Sequence, residues 1–229
     1  MNNWNEIWNK EERVSDAILD VLIKSDGFDV GAGGFSLKGW KNYTRSVIDK
    51  FNLELDSSVF EIGCGSGAFL YPFFKRGDSV GGLDFSKVLI ELANTFMREG
   101  EFVVAEAVHM DTNKKYDLVF SHSVFQYFPS HDYAKLVLEK MTEKSKNIIS
   151  ILDVNDIEKE QKYHLVRSQG LEAGEYENKY KGLEHLFYEK EWFFSFAKKH
   201  NLNIEIFDQN FKEYGNSELR FNVIMKKND

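Results

Sequence analysis

An α/β architecture with a parallel, doubly wound sheet is the fold class the sequence predicts, and three observations carry it. Short apolar segments alternate with stretches of helical periodicity. Glycines join strand to helix directly at 63–67. The chain has 229 residues, 42% of them hydrophobic and 15% aromatic, enough for one packed domain of ordinary size.

Taken in order, residues 4–24 place Val14, Ile18, Val21 and Leu22 on one helical stripe expected to face the core, after an aromatic start at Trp4 and Trp8. Gly27, Gly31, Gly33 and Gly34 then mark a loop, and a second helix is expected around Trp40 to Phe51. Val59 to Ile62 reads as a strand running into glycines and an apolar helix that ends at Gly77. A second strand in SVGGLDFS leads to a helix capped by Ser86, with Leu89, Leu92, Ala93 and Phe96 inward. Strands follow at 102–105, 116–121 and 147–153, and Ser130 caps the helix between the last two, which turns Tyr133, Ala134, Val137, Leu138 and Met141 inward. Residues 154–189 are polar and too long for a simple connection, so they read as an inserted lid. A helix with Trp192, Phe193, Phe196 and Ala197 and an antiparallel pair at 202–207 and 219–226 close the domain. The expected organisation is one domain over 1–229: a helical cover (1–55), a cofactor-binding core (56–153), the lid (154–189), and the last helix and strands (190–229).

Charge narrows the function. Lys and Arg number 29 against 37 Asp and Glu, a net charge of -8 that repels phosphate backbones and anionic membrane surfaces, so no nucleic-acid partner is expected. The single cysteine, Cys64, excludes an internal disulfide or multi-cysteine zinc site. No paired histidines or clustered carboxylates stand at ligand spacing, and no metal is expected. The first residues, MNNWNEIWNKEERV, lack the basic and apolar regions of a secretory signal, and no apolar run reaches the roughly 20 residues of a membrane span. A cytoplasmic protein without membrane insertion is the expectation.

The chemistry concentrates in Glu61-Ile62-Gly63-Cys64-Gly65-Ser66-Gly67, at the carboxyl end of the first strand, where open α/β sheets bind ligands. Asp84 ends the second strand, placed to accept both hydroxyl protons of an adenosine ribose. Together with YDLVFSHSVFQYF on the fourth strand, these residues resemble the class I S-adenosylmethionine-dependent methyltransferases over about residues 56–153. The resemblance implies a Rossmann-like, seven-stranded, mostly parallel sheet with helices on both faces. It places Gly63, Gly65 and Gly67 along the methionine part of the cofactor, Asp84 on the ribose, Phe85 beside the adenine, and Glu106 and Ala107 at the adenine edge. Glu61 would order the glycine loop, and Cys64, Ser86 and Ser121 complete the cofactor set. Ala105 and Glu106 stand where the family more often has Gly and Asp.

For the acceptor, His122 is the catalytic candidate, because an ordinary imidazole titrates near 6.5 and follows the fourth strand. Gln126, Tyr127, Arg167, Tyr180 and His185 are the expected acceptor contacts, with Tyr163, His164, Tyr176, Lys181 and Tyr188 as further donors. The loop at 27–34, with Phe35, Trp40 and Tyr43, would cover the cofactor. Oxygen is the preferred acceptor atom, since Ser-His-Ser-Val stands where amino-group enzymes carry an Asn-Pro-Pro-Tyr-like motif. The resemblance points to small polar acceptors, including sugar or phosphoramidate precursors of bacterial surface polysaccharides. Two alternatives stay open: Gly63-x-Gly65-x-x-Ala68 also fits a nicotinamide or flavin dinucleotide site, and a non-catalytic subunit of the same fold would keep the glycines.

Overall fold

The computed structural model describes residues 4–29, 34–168 and 184–228, residues 4–13 by their backbone. Helices α1 (Trp4–Ser25) and α2 (Leu37–Phe51) precede β1 (Ser58–Ile62), α3 (Tyr71–Arg76), β2 (Ser79–Asp84), α4 (Lys87–Phe96), β3 (Glu101–Val104), β4 (Tyr116–His122), α5 (His131–Lys144) and β5 (Ser145–Asn155). After α6 (Glu160–Ser168) come α7 (Lys190–Lys199), β6 (Leu202–Asp208) and β7 (Arg220–Lys227). The strands form one seven-stranded sheet in the order β3-β2-β1-β4-β5-β7-β6. All pairs among β1 to β5 are parallel, whereas β7 runs antiparallel to both β5 and β6.

Both sheet faces are covered, as a parallel sheet requires. Leu22, Trp40, Phe51, Phe73 and Ala93 bring α1 to α4 onto Val59, Leu118 and Phe120. On the other face Val137, Leu138, Phe193 and Ala197 bring α5 and α7 onto Ile62, Val119 and Val223. The period of two along a strand makes this division: Leu118, Phe120 and His122 share one side of β4, and Val119 and Ser121 share the other.

Local chemistry sets the helix ends. Ser36, Ser86 and Ser130 accept hydrogen bonds from Gly39, Leu89 and Tyr133 N–H and so start α2, α4 and α5. The inward stripe of α1 differs from expectation: Leu19, Leu22 and Ile23 are buried, while Val14 and Val21 are exposed. With the partly buried Ile18, the inward face runs through 18/19 and, a turn later, 22/23, which leaves Val21 outside it. Gly31 and Gly33 of the loop lie outside the described residues, as do Tyr176, Tyr180 and Lys181 of the inserted segment.

The insertion begins later than the sequence suggests, because β5 continues to Asn155. Its far end returns against the sheet: Leu186 N–H donates to the Gln126 carbonyl, Tyr188 N–H to the Asn155 carbonyl, and Tyr188 Oη to the Phe125 carbonyl at 2.8 Å. Residues 184–188 are thereby fastened beside the loop after β4, at the sheet's carboxyl edge.

Candidate active site

Parallel register brings Ile62 level with Leu83 on one side and with Ser121 on the other, so the loops after β1, β2 and β4 open at one edge. Order along the sheet reverses between β1 and β4, the place where open α/β sheets part into a crevice. A cleft of about 810 Å³ lies there.

Its floor is the glycine turn. Gly63 and Cys64 N–H both donate to the Leu83 carbonyl, at 2.8 and 3.0 Å. Gly63 and Gly65 stand at φ of +69° and +53°, and a Cβ on Gly63 would come within 2.5 Å of Val124. Asp84 fastens the turn from the next strand: one carboxylate oxygen accepts from Gly65 N–H at 3.0 Å and the other from Ser86 N–H at 2.8 Å. Each oxygen keeps a lone pair for a further donor. Beside it Phe85 is 80% exposed, and its ring, with Leu89, Glu106 and Ala107, lines the cleft.

Asp26, just past the end of α1, went unrecognised in the sequence. Its carboxylate accepts from Ser66 N–H at 2.6 Å and Ala68 N–H at 3.3 Å, holding the turn from the opposite side to Asp84. Burial raises its pKa to about 6 against the pull of those N–H groups, and Asp84 adds repulsion. Glu61 is pushed up as well, first by burial and then by Asp26 and Asp84, and its Oε2 is buried without a hydrogen-bond partner. This end of the cleft is an acidic cradle.

Farther along stands His122, 4% exposed, with the rings of Phe28, Trp40, Tyr43 and Phe69 within 5.7 Å. Burial lowers its pKa to about 4. The near-neutral titration expected of it is therefore corrected: at physiological pH it is a neutral imidazole and a weak base. A buried network fixes its tautomer. Gln209 Nε2 donates to Asp153 at 3.0 Å, which turns Gln209 Oε1 toward Tyr43 Oη, also at 3.0 Å. Tyr43 thus donates to Gln209 and accepts, at 3.2 Å, from His122 Nε2–H. The lone pair left to His122 is on Nδ1.

Asp153 closes the network, accepting from Tyr214 Oη at 3.0 Å and lying 3.6 Å from Arg220 Nε. Arg220, Tyr214, Asn216 and Tyr127 line the cleft opposite the glycine turn. Arg167 donates to Tyr163 Oη, which also hydrogen-bonds His185 Nδ1, and the His185 ring packs 4.7 Å from that of Tyr127. Burial, then Arg167 and Arg220, lower the His185 pKa to about 4.

Of the residues expected at the site, Glu61, Gly63, Cys64, Gly65, Asp84, Phe85, Glu106, Ala107, His122 and Tyr127 line the cleft. Gly67 instead faces Met97, just past the end of α4, and Ser86 caps the start of α4. Ser121 points to the opposite side of β4 from His122 and is 1% exposed. Gln126 is buried behind the cleft wall, donating to Ser123, which lines the cleft. Arg167 and His185 stand behind Tyr127 and Tyr163, and Tyr180 lies outside the described residues. Phe28, Tyr43, Asp153, Gln209, Tyr214 and Arg220 gained no role there from the sequence, apart from Phe28 and Tyr43 as parts of the cover. The signal was an acid ending the apolar run 148–153 and an arginine heading the apolar run 220–225.

A glycine turn and a carboxylate with a lone pair left on each oxygen stand together at the switch point of an α/β sheet. Residues 59–144 match the family described as a methyltransferase domain. A malonyl-[acyl-carrier protein] O-methyltransferase of Ilyobacter polytropus is 29% identical over 124 residues, 48% of this chain and 44% of that protein. Enniatin synthase of Fusarium equiseti is 32% identical over 139 residues, 50% of this chain and 4% of its own. The chain thus spans less than half the length of these curated relatives. Among solved structures, the plantazolicin methyltransferase BpumL in complex with SAH superposes with a TM-score of 0.64 at 17% identity, over 96% of this chain and 97% of that one. Magnesium protoporphyrin IX methyltransferase from Synechocystis PCC 6803 with bound SAM gives 0.61 at 15% identity, over 93% and 97%. Residues 59–144 thus resemble a methyltransferase domain, and the chain shares its fold with these S-adenosylmethionine- and S-adenosylhomocysteine-bound methyltransferase structures.

Proposed function

We propose that the protein transfers the methyl group of S-adenosylmethionine to a small polar acceptor, at oxygen. The observation that carries the reading is the pair Asp84 and Glu61: carboxylates beside a close-approach backbone turn, one with a lone pair on each oxygen and the other with a buried, unpartnered oxygen. The cofactor supplies a positively charged sulfonium with a methyl group ready to leave, and it carries an ammonium as well. Asp26, Glu61 and Asp84 suit that charge, Asp84 suits the ribose hydroxyls, and the exposed Phe85 face suits the adenine ring. A dinucleotide reading gives no use to Glu61 and Asp26, and it is the weaker one.

The chain's own work is alignment and exclusion of water. Phe28, Trp40 and Phe69 dry the centre of the cleft, and His122 Nδ1 offers an acceptor to a donor on the substrate. His185 and Tyr163, from the described parts of the inserted segment, stand together beside Tyr127 at the acceptor end. Sugar or phosphoramidate precursors of bacterial surface polysaccharides remain the acceptors we infer from the resemblance, and a cytoplasmic location goes with them. Among the described residues no helix is long and apolar enough to cross a membrane. Labelled S-adenosylmethionine incubated with sugar nucleotides, phosphorylated metabolites and matching amines tests the reading; label on amines alone would contradict oxygen transfer.

A pH dependence follows from Asp26. Burial favours its protonated form, so its ionisation weakens the fold as pH rises from the unfolded value near 4 through about 6. A cation bound beside it favours the carboxylate and expels the proton. S-adenosylmethionine affinity should therefore rise about tenfold from pH 5 to 6.5 and then level off, and Asp26→Asn should flatten the curve in calorimetric titrations. An unchanged slope in Asp26→Asn would remove Asp26 from the cofactor's surroundings.

A further inference from the structure

We infer that Arg220 is the acceptor-anchoring residue of this site and that the acceptor carries an oxyanion, a carboxylate or a phosphate-type group, whose oxygen is itself the methylated atom. This deepens the methyl-transfer reading and rests on it.

Arg220 is 5% exposed, lines the cleft, and leaves Nε and Nη1 buried without a hydrogen bond. A buried guanidinium in that state is costly, and native structures rarely keep one without a purpose. Asp153 pairs with its charge at 3.6 Å from Nε but makes no hydrogen bond to it, because the two carboxylate oxygens already take Gln209 and Tyr214. Tyr163 offers only its ring face, 5.5 Å from the guanidinium carbon. The planar fork of an arginine matches the geometry of carboxylate and phosphate oxygens, and such bonds are charge-assisted.

Charge is divided along the cleft in the same sense. Asp26, Glu61 and Asp84 stand around the glycine turn and Glu106 beyond them after β3, whereas Arg220, with Asp153 3.6 Å from its Nε, stands at the head of β7. A cationic methyl donor and an anionic acceptor would each meet the opposite sign. The reaction then needs no base. An electron pair on the acceptor oxygen forms the O–CH₃ bond as the S–CH₃ pair returns to sulfur, the sulfonium and oxyanion charges cancel, and no proton moves. A neutral His122, poorly suited to deprotonate a hydroxyl, fits that course.

The test uses the full chain saturated with S-adenosylhomocysteine at constant ionic strength, titrated with inorganic phosphate, acetate or chloride. Phosphate or acetate should bind where chloride does not; phosphate alone would mark a phosphorylated acceptor, acetate alone a carboxylic one. Binding should weaken at least tenfold in Arg220→Gln and recover in part in Arg220→Lys, with S-adenosylhomocysteine affinity kept within about twofold in both. Wild-type protein that binds S-adenosylhomocysteine but neither anion overturns the proposal, whatever the variants do, as does unweakened anion binding in a folded Arg220→Gln. Loss of S-adenosylhomocysteine binding from the wild type would instead overturn the cofactor reading and this proposal with it.

Discussion

Asp84→Ala should weaken S-adenosylhomocysteine binding by about 2–3 kcal/mol, roughly 30–150-fold in Kd, the worth of charge-assisted hydrogen bonds lost from a dry site. The substitution does two things at once. It removes the carboxylate proposed to accept the ribose hydroxyls, and it frees Gly65 and Ser86 N–H, which that carboxylate holds at 3.0 and 2.8 Å. Asp84→Asn separates them: its amide oxygen can keep one N–H in place but supplies neither the charge nor the second acceptor, so its affinity should fall between wild type and Asp84→Ala. Calorimetry on variants of matched thermal stability checks the order. An unchanged Kd in Asp84→Ala would take the ribose away from this residue.

His122→Ala should lower kcat about 100-fold while leaving S-adenosylhomocysteine affinity near wild type, if the side chain orders the acceptor half of the cleft as proposed. The loss comes from misplacement: without the ring, Tyr43 Oη loses its donor and four aromatic neighbours close on a gap. His122→Gln, which can restore one donor and one acceptor, should recover part of the rate. The pH profile reads the mechanism. With its pKa lowered to about 4, His122 stays neutral through pH 6–8, and kcat at saturating cofactor should show no His122 limb there. Its stabilising contribution is complete above the unfolded value near 6.5 and is lost as pH falls toward 4. A kcat limb near 6.5 that disappears in His122→Gln would contradict the neutral-imidazole account.

What the sequence made legible was local. The run from Glu61 to Gly67 and the acid at Asp84 are a strand, a turn and a spacing, each fixed by neighbours in the chain, and Glu61, Gly63, Cys64, Gly65 and Asp84 reach the cleft. Ser121 and His122 show the limit of such reading, for adjacent residues of one strand face opposite sides and only the packing of Phe69, Trp40 and Tyr43 decides which side holds the site. Asp26 meets Ser66 across 40 residues and Tyr43 meets Gln209 across 166, pairings that no local pattern encodes. The titration of His122 was misjudged for the same reason, since its pKa belongs to the aromatic cage around it. Arg220 was hidden by its place at the head of an apolar strand, where a charged residue ordinarily marks the water's edge.

The central claim is that this cleft takes S-adenosylmethionine. Calorimetric titration of the wild-type protein with S-adenosylmethionine and S-adenosylhomocysteine, with NAD(H) as the control, tests it most directly. Micromolar binding of both sulfur nucleosides with none of NAD(H) is the expected result; binding of NAD(H) alone, or of none of the three, would contradict it.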